Sequence, residues 1–578
     1  MTATITVNQL GYLTTGPKGA TILCDSEQPC AWQLLDESDA VVTEGMTQPR
    51  GEDPTAGSGV HVIDFTTWGR PGRFRLKAAC SDLSDWFSVG DDLYAGVLHD
   101  ALTLFTLQRS GFEITEDIAG PEYARAAGHL DVAPNLGDGA VKPLPAGLAV
   151  TDDGVDLYEG WTGDYTVDAR GGWYDAGDMG KYAVNGGISV AGLLSIAERA
   201  LRGAAVPSAS VELALQEATW ELDFMSRMRV PAGEQYAGMV LHKVADRQWT
   251  GLPTLPADDA EVRDLHRPST AATLNVAAVA AQAGRVFRVA CPEFGQAMEV
   301  LARETYAAAR ANEVILAPDT NVLNNHGSGP YNDTDIDDEF YWAAAEMYLT
   351  FGEDEFLSDL RANPYHLGGD KSAWSEVGFD WRDTAAWVRL QLALVDSALP
   401  EREDIRADVC AQADALIAQD EPFGQLYTAT DNAYAWGSNG MIANNAVIVA
   451  AAAEISGEQR HRDAALAGLD YLFGRNALSL SYVTGYGTRY VRNQHSRWFA
   501  HSLDASLPEP PAGTLSGGPN SGCGEVAEHL AGGPAQLCFI DDIGSYTTNE
   551  MTINWNAALA TIAAYAASCG PIESRVFA

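Results

Sequence analysis

The densest concentration of reactive side chains in the sequence is Gly171-Gly172-Trp173-Tyr174-Asp175-Ala176-Gly177-Asp178-Met179-Gly180-Lys181-Tyr182. Asp175 and Asp178 are separated only by Ala176 and Gly177, so both carboxylates can approach one small object such as a water molecule. The glycines permit the tight backbone this needs. A bare D-x-x-D is ordinary turn chemistry; the aromatic and glycine frame sets this one apart. A third carboxylate, Glu550, follows Asp541-Asp542-Ile543-Gly544-Ser545-Tyr546-Thr547-Thr548-Asn549. The pattern predicts it in the first turn of the last helix, where a negative charge complements the helix dipole. The apolar run after it, with Asn554, Trp555 and Asn556, turns that helix end toward a cleft, where an apolar setting keeps a carboxyl group protonated as an acid. His495 and Arg497, two apart in a loop, can both donate to ligand hydroxyls.

Two textures must position these groups. Residues 4–90 carry short β-rich runs at 4–10, 19–24, 31–35, 60–65 and 72–76, the spacing of a small antiparallel sandwich. From about Asp92 the chain turns to Ala- and Leu-rich segments with helical periodicity, near 98–110, 184–200, 210–228, 269–287, 293–311, 334–351, 354–363, 384–395, 402–419, 439–455, 459–474 and 549–568. Many are apolar around most of their circumference, as an inner ring sheathed by an outer one requires. The expectation is a mainly α protein: a β-sandwich over 1–91, then six helical hairpins closed into an (α/α)6 barrel over 92–578. Residues 111–183, 229–268 and 475–548 are long, aromatic and poor in helical periodicity, and are read as loops that build a cleft at one barrel end.

Taken together, these segments resemble glycoside hydrolase family 9, the cellulase family once called family E. The D-A-G-D box is Asp175 to Asp178, the tyrosine–glutamate signature is Tyr546 and Glu550, and the histidine–arginine box is His495 and Arg497. Val7-Asn8-Gln9-Leu10-Gly11-Tyr12 resembles the opening of the immunoglobulin-like module found in one branch of the family. Gln108-Arg109-Ser110-Gly111, the run from Pro268 to Asn275, and Trp436-Gly437-Ser438-Asn439 also match. The resemblance implies inverting hydrolysis of β-1,4-glycosidic bonds, with Asp178 as general base, Asp175 helping to hold the attacking water and Glu550 as general acid. It implies that Tyr546, His495 and Arg497 line the subsites. Trp436, Trp173, Tyr174, His129 and Asp131 complete the expected substrate-binding set, and Trp161, Trp342 and Trp555 are further stacking candidates. Three positions depart from the family pattern: Ile543 stands where many members have Arg, Met179 follows the base in place of His, and Ser496 follows His495.

The long segments around Pro121 to Asn135, Leu157 to Trp161 and Met239 to Trp249 look like those of cytoplasmic exo-acting members, and long loops can wall a cleft into a pocket. The leading expectation is therefore an exo-β-glucosidase on cello-oligosaccharides. The alternatives are an exo-β-glucosaminidase on chitosan oligosaccharides, an endo-β-1,4-glucanase and, from another class, a catalytically inactive carbohydrate-binding protein. The formal net charge of −43 disfavours nucleic acid and anionic membrane surfaces as partners. The opening residues show no export signal, and the eight cysteines are scattered without a C-x-x-C pair, which reads as a cytoplasmic chain with free thiols. No cofactor is required by two carboxylates and a water. Structural calcium is conceivable, but the sequence assigns no ligand set, and no metal residues are predicted.

Overall fold

The computed structural model describes residues 4–570 except 313, 324, 325 and 428–430; the ends of the two expected domains, 1–3 and 571–578, lie outside the described residues. The N-terminal part is a sandwich of two sheets. One has the order β1 (Ile5–Val7), β3 (Gly19–Leu23), β7 (Ser58–Asp64), β6 (Gln48–Asp53); the other has β2 (Gly11–Tyr12), β9 (Phe87–Val89), β8 (Gly72–Ala78), β4 (Ala31–Asp36), β5 (Val41–Met46). Their inner faces alternate inward residues such as Val7, Ile22, Leu34, Ile63 and Leu76 into one core. Strands β5 and β6 escape the sequence pattern because neither alternates buried apolar with exposed polar residues: β5 exposes Val41, Glu44 and Met46, and β6 exposes Gln48, Arg50, Gly51 and Glu52. The run 4–10 does not form one strand: Asn8 leaves it, its Oδ1 accepting from the Leu10 and Gly11 amides while its Nδ2 donates to Asp470.

Asn8 and its neighbours fix the sandwich to the second part. Gln9 Oε1 accepts from the amides of Thr488 and Arg489, each at 2.9 Å, and Thr21 Oγ1 donates to the Pro422 carbonyl at 2.6 Å. The module is thus hydrogen-bonded through buried side chains to the loops that follow the barrel helices, and works as a buttress.

Among the described residues twelve helices of nine or more residues follow, close to the expected positions: α1 (Tyr94–Leu107), α2 (Ala183–Leu201), α3 (Ser208–Arg227), α4 (Thr270–Ala290), α5 (Pro292–Ala311), α6 (Asp337–Phe351), α7 (Asp354–Ala362), α8 (Ala385–Leu394), α9 (Arg402–Ile417), α10 (Ser438–Ser456), α11 (Gln459–Leu472) and α12 (Ile553–Ser568). The even-numbered helices touch in a closed ring, α2 to α4, α6, α8, α10, α12 and back to α2, and each odd-numbered helix packs outside. This is the (α/α)6 barrel. Ring helices are buried on every side over long stretches, as in α4 from Thr270 to Gly284, which explains their all-round apolar sequence.

The long connecting segments are more regular than loops. Strands β10 (Lys142–Pro143), β11 (Lys181–Tyr182), β12 (Lys243–Asp246) and β13 (Arg263–Leu265) form a four-stranded sheet over one barrel end, in the order β10-β13-β12-β11. Beneath it, Arg263 bridges Asp138 (3.0 Å) and Asp246 (2.6 Å), and Lys181 pairs with Asp138 at 2.7 Å, all buried. Removing one member of such a buried set leaves a charge without a partner, at a cost of about 3–5 kcal/mol. Charge pairing adds to the burial of Val244, Ala245 and Leu265 in holding this layer, whose strands are too short to show a pattern in the sequence.

Candidate active site

The Asp175–Asp178 turn is held from behind by the end of α1. Gln108 accepts the Tyr174 amide on its carbonyl (2.8 Å), and its side-chain amide donates to the Ala176 carbonyl (2.9 Å). Ser110 donates its amide to the Gly172 carbonyl at 2.9 Å. Gly171 and Gly172 have φ of 77° and 73°, a left-handed bend that brings the Trp173 amide onto Glu221 Oε2 at 2.7 Å. From the front, Arg497 donates both its amide (3.1 Å) and Nη1 (2.8 Å) to the Gly177 carbonyl.

Asp175 is buried at the mouth of the ring. Its Oδ1 accepts from Asn185 Nδ2 of α2 (2.5 Å), its Oδ2 from the Tyr331 hydroxyl (2.6 Å), and its carbonyl takes the first amide of α12 (2.9 Å). Burial and then the Asp178 charge raise its carboxyl to about 7, against the two hydrogen bonds that lower it. Asp178 is buried too; its Oδ2 accepts from the Gly180 amide (2.9 Å) and lies 3.5 Å from the Tyr182 hydroxyl. Both bonds reach Oδ2, which leaves Oδ1 for a water.

Glu550 does not sit in the first turn of the last helix. It lies between the short helix Tyr546–Asn549 and α12, in extended backbone (φ −76°, ψ 156°), bridged to His495. The His495 amide donates to the Asn549 carbonyl and the Gly517 amide to the Glu550 carbonyl, each at 2.8 Å. A strand-like rung therefore aims the side chain, where a helix would have turned it away. Burial, then Asp178 and Asp175, raise the Glu550 carboxyl well above the ordinary range, which favours its protonated form. His495 meets the Ile543 carbonyl through Nδ1 (2.7 Å), so that nitrogen carries the proton and Nε2 is free toward Tyr546.

Tyr546 is 43% exposed and Trp436 48% exposed, with ring centroids 5.8 Å apart. They form a solvent-facing platform beside Glu550. On the Arg497 side, the guanidinium lies 5.5 Å from the ring centroid of Trp249, itself 47% exposed, and Nε donates to Thr250 Oγ1 at 2.6 Å.

Several expected sugar contacts are corrected. Trp173 is buried against Phe105, with its indole N–H on Glu217, and supports the turn from inside. Tyr174 is fully buried; its hydroxyl bonds His129 Nδ1 (2.7 Å), and His129 Nε2 bonds Asp259 (3.0 Å). All three serve the wall behind the turn. Asp131 is exposed at a loop, its carboxylate against Gly137 and Gly139, away from this constellation. Trp161 and Trp342 are core residues, and Trp555 packs under Gly437, Gly440 and Gly517. Met179 points into an apolar cluster with Leu104, Trp498 and Met551, so its apolar character is a packing requirement. Ser496 Oγ accepts from the Trp498 and Phe499 amides and turns the chain after His495. Sequence reasoning missed Tyr331, Asn185 and Trp381, whose ring meets Tyr331 at 4.9 Å and which belong to no local motif, and it gave no role to Tyr182, which closes the aspartate segment.

A metal set also emerges that spacing did not reveal. Carboxylate oxygens of Asp333, Asp338 and Glu339, all buried, lie within 4.8 Å of one another at the start of α6. Four of their oxygens (Asp333 Oδ2, Asp338 Oδ1 and both of Glu339) have no hydrogen-bond partner.

Residues 94–563 match the glycosyl hydrolase family 9 model, and residues 1–82 match the cellulase N-terminal ig-like domain model. The chain is 46% identical to endoglucanase C of Cellulomonas fimi over 98% of its own length, which spans 52% of that relative. It is 38% identical to a cellulose 1,4-beta-cellobiosidase of Acetivibrio thermocellus, over 97% of this chain and 67% of the relative. The chain thus spans about half the length of the first of these and two thirds of the second. Its fold matches the crystal structure of a metagenome-derived glycoside hydrolase family 9 endoglucanase with a TM-score of 0.83, at 27% identity, over 98% of this chain and 99% of that one. With residues 94–563 matching the catalytic model and residues 1–82 the N-terminal module that accompanies it, this chain belongs to glycosyl hydrolase family 9.

Proposed function

We propose that the chain cleaves β-1,4-glucan chains by single displacement with inversion, acting within the chain. The observation that carries the chemistry is the pairing of a carboxyl kept protonated, Glu550, with two aspartates that share one turn. Asp178 Oδ1 takes a proton from a water while that water attacks the anomeric carbon. Asp175 uses two of its roughly four acceptor positions on Asn185 and Tyr331, and a remaining one orients the same water. Glu550 gives its proton to the departing glycosidic oxygen. The aspartates that help keep Glu550 protonated are thus the groups that handle the water.

Two features support internal cleavage over removal of terminal glucose. Two separate exposed aromatic surfaces belong to the site, Trp436–Tyr546 beside His495 and Trp249 beside Arg497, more stacking area than one terminal sugar needs. The relatives also carry the names endoglucanase and cellobiosidase. The exo-glucosidase expectation rested on three long segments, one of which contributes the strand Lys243–Asp246 to the four-stranded sheet. Nothing in the site selects an amino sugar.

Asp333, Asp338 and Glu339 fit calcium: they are hard oxygen donors, buried, with oxygens in need of a cation. A calcium ion there would neutralise the buried carboxylates and tie Asp333, two residues after Tyr331, the donor to Asp175, to the start of α6.

The test is product analysis. Cellohexaose and carboxymethylcellulose should yield intermediate oligosaccharides early, with a fast fall in viscosity, and proton NMR should show α-anomers first. Glucose as the sole early product would refute the internal mode, cellobiose alone would support the cellobiosidase-like mode, and β-anomers would refute inversion.

A further inference from the structure

The sandwich carries a cluster that the hydrolytic chemistry does not use. The sulfurs of Cys24, Cys30 and Cys80 lie within 4.8 Å of one another, each partly buried, and all three are free thiols. Their spacing in sequence hides this. Strands β4 and β8 pair with Trp32 opposite Ala78, and the Ala79 amide donates to the Ala31 carbonyl at 2.9 Å. One step further along the same ladder sets Cys30 beside Cys80. Cys24 arrives from the other sheet, directly after β3, with its amide on the Gly59 carbonyl at 2.7 Å. Cys30 is fixed in turn by Thr47, whose Oγ1 accepts the Cys30 amide (2.8 Å) and whose amide donates to the Cys30 carbonyl (2.9 Å). The same Oγ1 bonds the buried His61, which anchors Ser26 in the connection between Cys24 and Cys30.

Three thiols held by hydrogen-bonded backbone from two sheets are a preformed set of soft ligands. A disulfide would use two and strand the third. Soft sulfur selects d10 cations over calcium or magnesium. We propose that Cys24, Cys30 and Cys80 form a three-thiolate zinc site that staples the two sheets of the N-terminal sandwich, with a water in the fourth, solvent-facing position. Its role is structural: small sandwiches gain from such cross-links, and the gain follows the metal concentration by mass action.

The test uses the full chain, purified under reductant and stripped of metal. One equivalent of Co2+ should give thiolate-to-cobalt charge-transfer absorption, bleached by Zn2+. Zinc should protect Cys24, Cys30 and Cys80 from alkylation, read peptide by peptide, while the exposed Cys291 stays reactive. Cys30→Ser and Cys80→Ser should each weaken zinc binding by about tenfold or more, and the triple serine variant should lose the zinc-dependent rise in thermal midpoint. Hydrolysis of cellohexaose should be unchanged in the single variants. If the triple variant fails to fold, the cobalt spectrum and the protection pattern decide alone. A cobalt complex without thiolate absorption, zinc protection of other cysteines, or a disulfide between two of the three that persists with zinc present would each overturn the proposal.

Discussion

Gly177 offers the sharpest perturbation, because it is the residue next to the proposed base and nothing larger fits there. A Cβ at position 177 would stand 2.9 Å from His495 Cδ2 and 3.0 Å from its carbonyl carbon, and closer still to its carbonyl oxygen. The clash is with backbone that is itself fixed, since the His495 amide is bonded to Asn549 and the Glu550 carbonyl to Gly517. Restoring a normal separation of about 3.5 Å requires a shift on the order of 1 Å between the two segments. One segment carries Asp178 and the other neighbours Glu550. A misplacement of about 1 Å in a reacting constellation costs roughly a hundredfold in rate, or about 2.7 kcal/mol. Gly177→Ala should therefore lower kcat/KM on cellohexaose by about that factor, with a stability loss limited to the 1–3 kcal/mol typical of about one extra methyl. Gly147→Ala, where a Cβ meets nothing within 4 Å, is the control and should leave activity unchanged. Steady-state kinetics with thermal unfolding on both variants decides it. A Gly177→Ala enzyme within about threefold of the parent would refute the claim that the spacing of these two segments sets the chemistry.

Other outcomes follow from the same contacts. Tyr331→Phe removes a donor that lowers the Asp175 carboxyl, so that group should move further above about 7, and the rate at neutral pH should fall by roughly ten- to a hundredfold; a pH–rate profile identical to the parent would count against it. Trp436→Ala should reduce kcat/KM on long oligosaccharides by about threefold to tenfold and leave short aryl glycosides nearly unaffected, by loss of a stacking surface. Chelation should lower the thermal midpoint and calcium should restore it, and Asp338→Asn with Glu339→Gln should abolish that response.

Much of this was legible in the sequence, for reasons that differ by element. The twelve barrel helices announced themselves because burial all round leaves a long Ala- and Leu-rich signature, as in Thr270–Ala290 and Ser438–Ser456. Asp175, Asp178, Glu550, His495 and Arg497 stood out as local motifs, and folding brings them to one place. Trp173 and Tyr174 misled because aromatic residues beside a catalytic turn can support it from within, and both of these point inward, to Glu217 and His129. Tyr331 and Asn185 were hidden because only folding brings them to Asp175, whereas Asp333, Asp338 and Glu339, close in sequence, read there as an ordinary acidic helix start. The three sulfurs of the sandwich were hidden for the same reason, since strand register and not spacing brings residue 24 to residues 30 and 80.

The central claim is that Glu550 is the acid and Asp178 the base, and Glu550→Gln tests it most directly. Burial and the two aspartates raise the Glu550 carboxyl, so the alkaline limb of the parent pH–rate profile should lie above the ordinary carboxylate range and belong to this group. The variant should lose about 10²–10⁴-fold on cellohexaose, keep most of its rate on an aryl glycoside whose leaving group needs no proton, and lack that alkaline limb. A variant that retains the limb, or that loses the two substrates equally, would contradict the account.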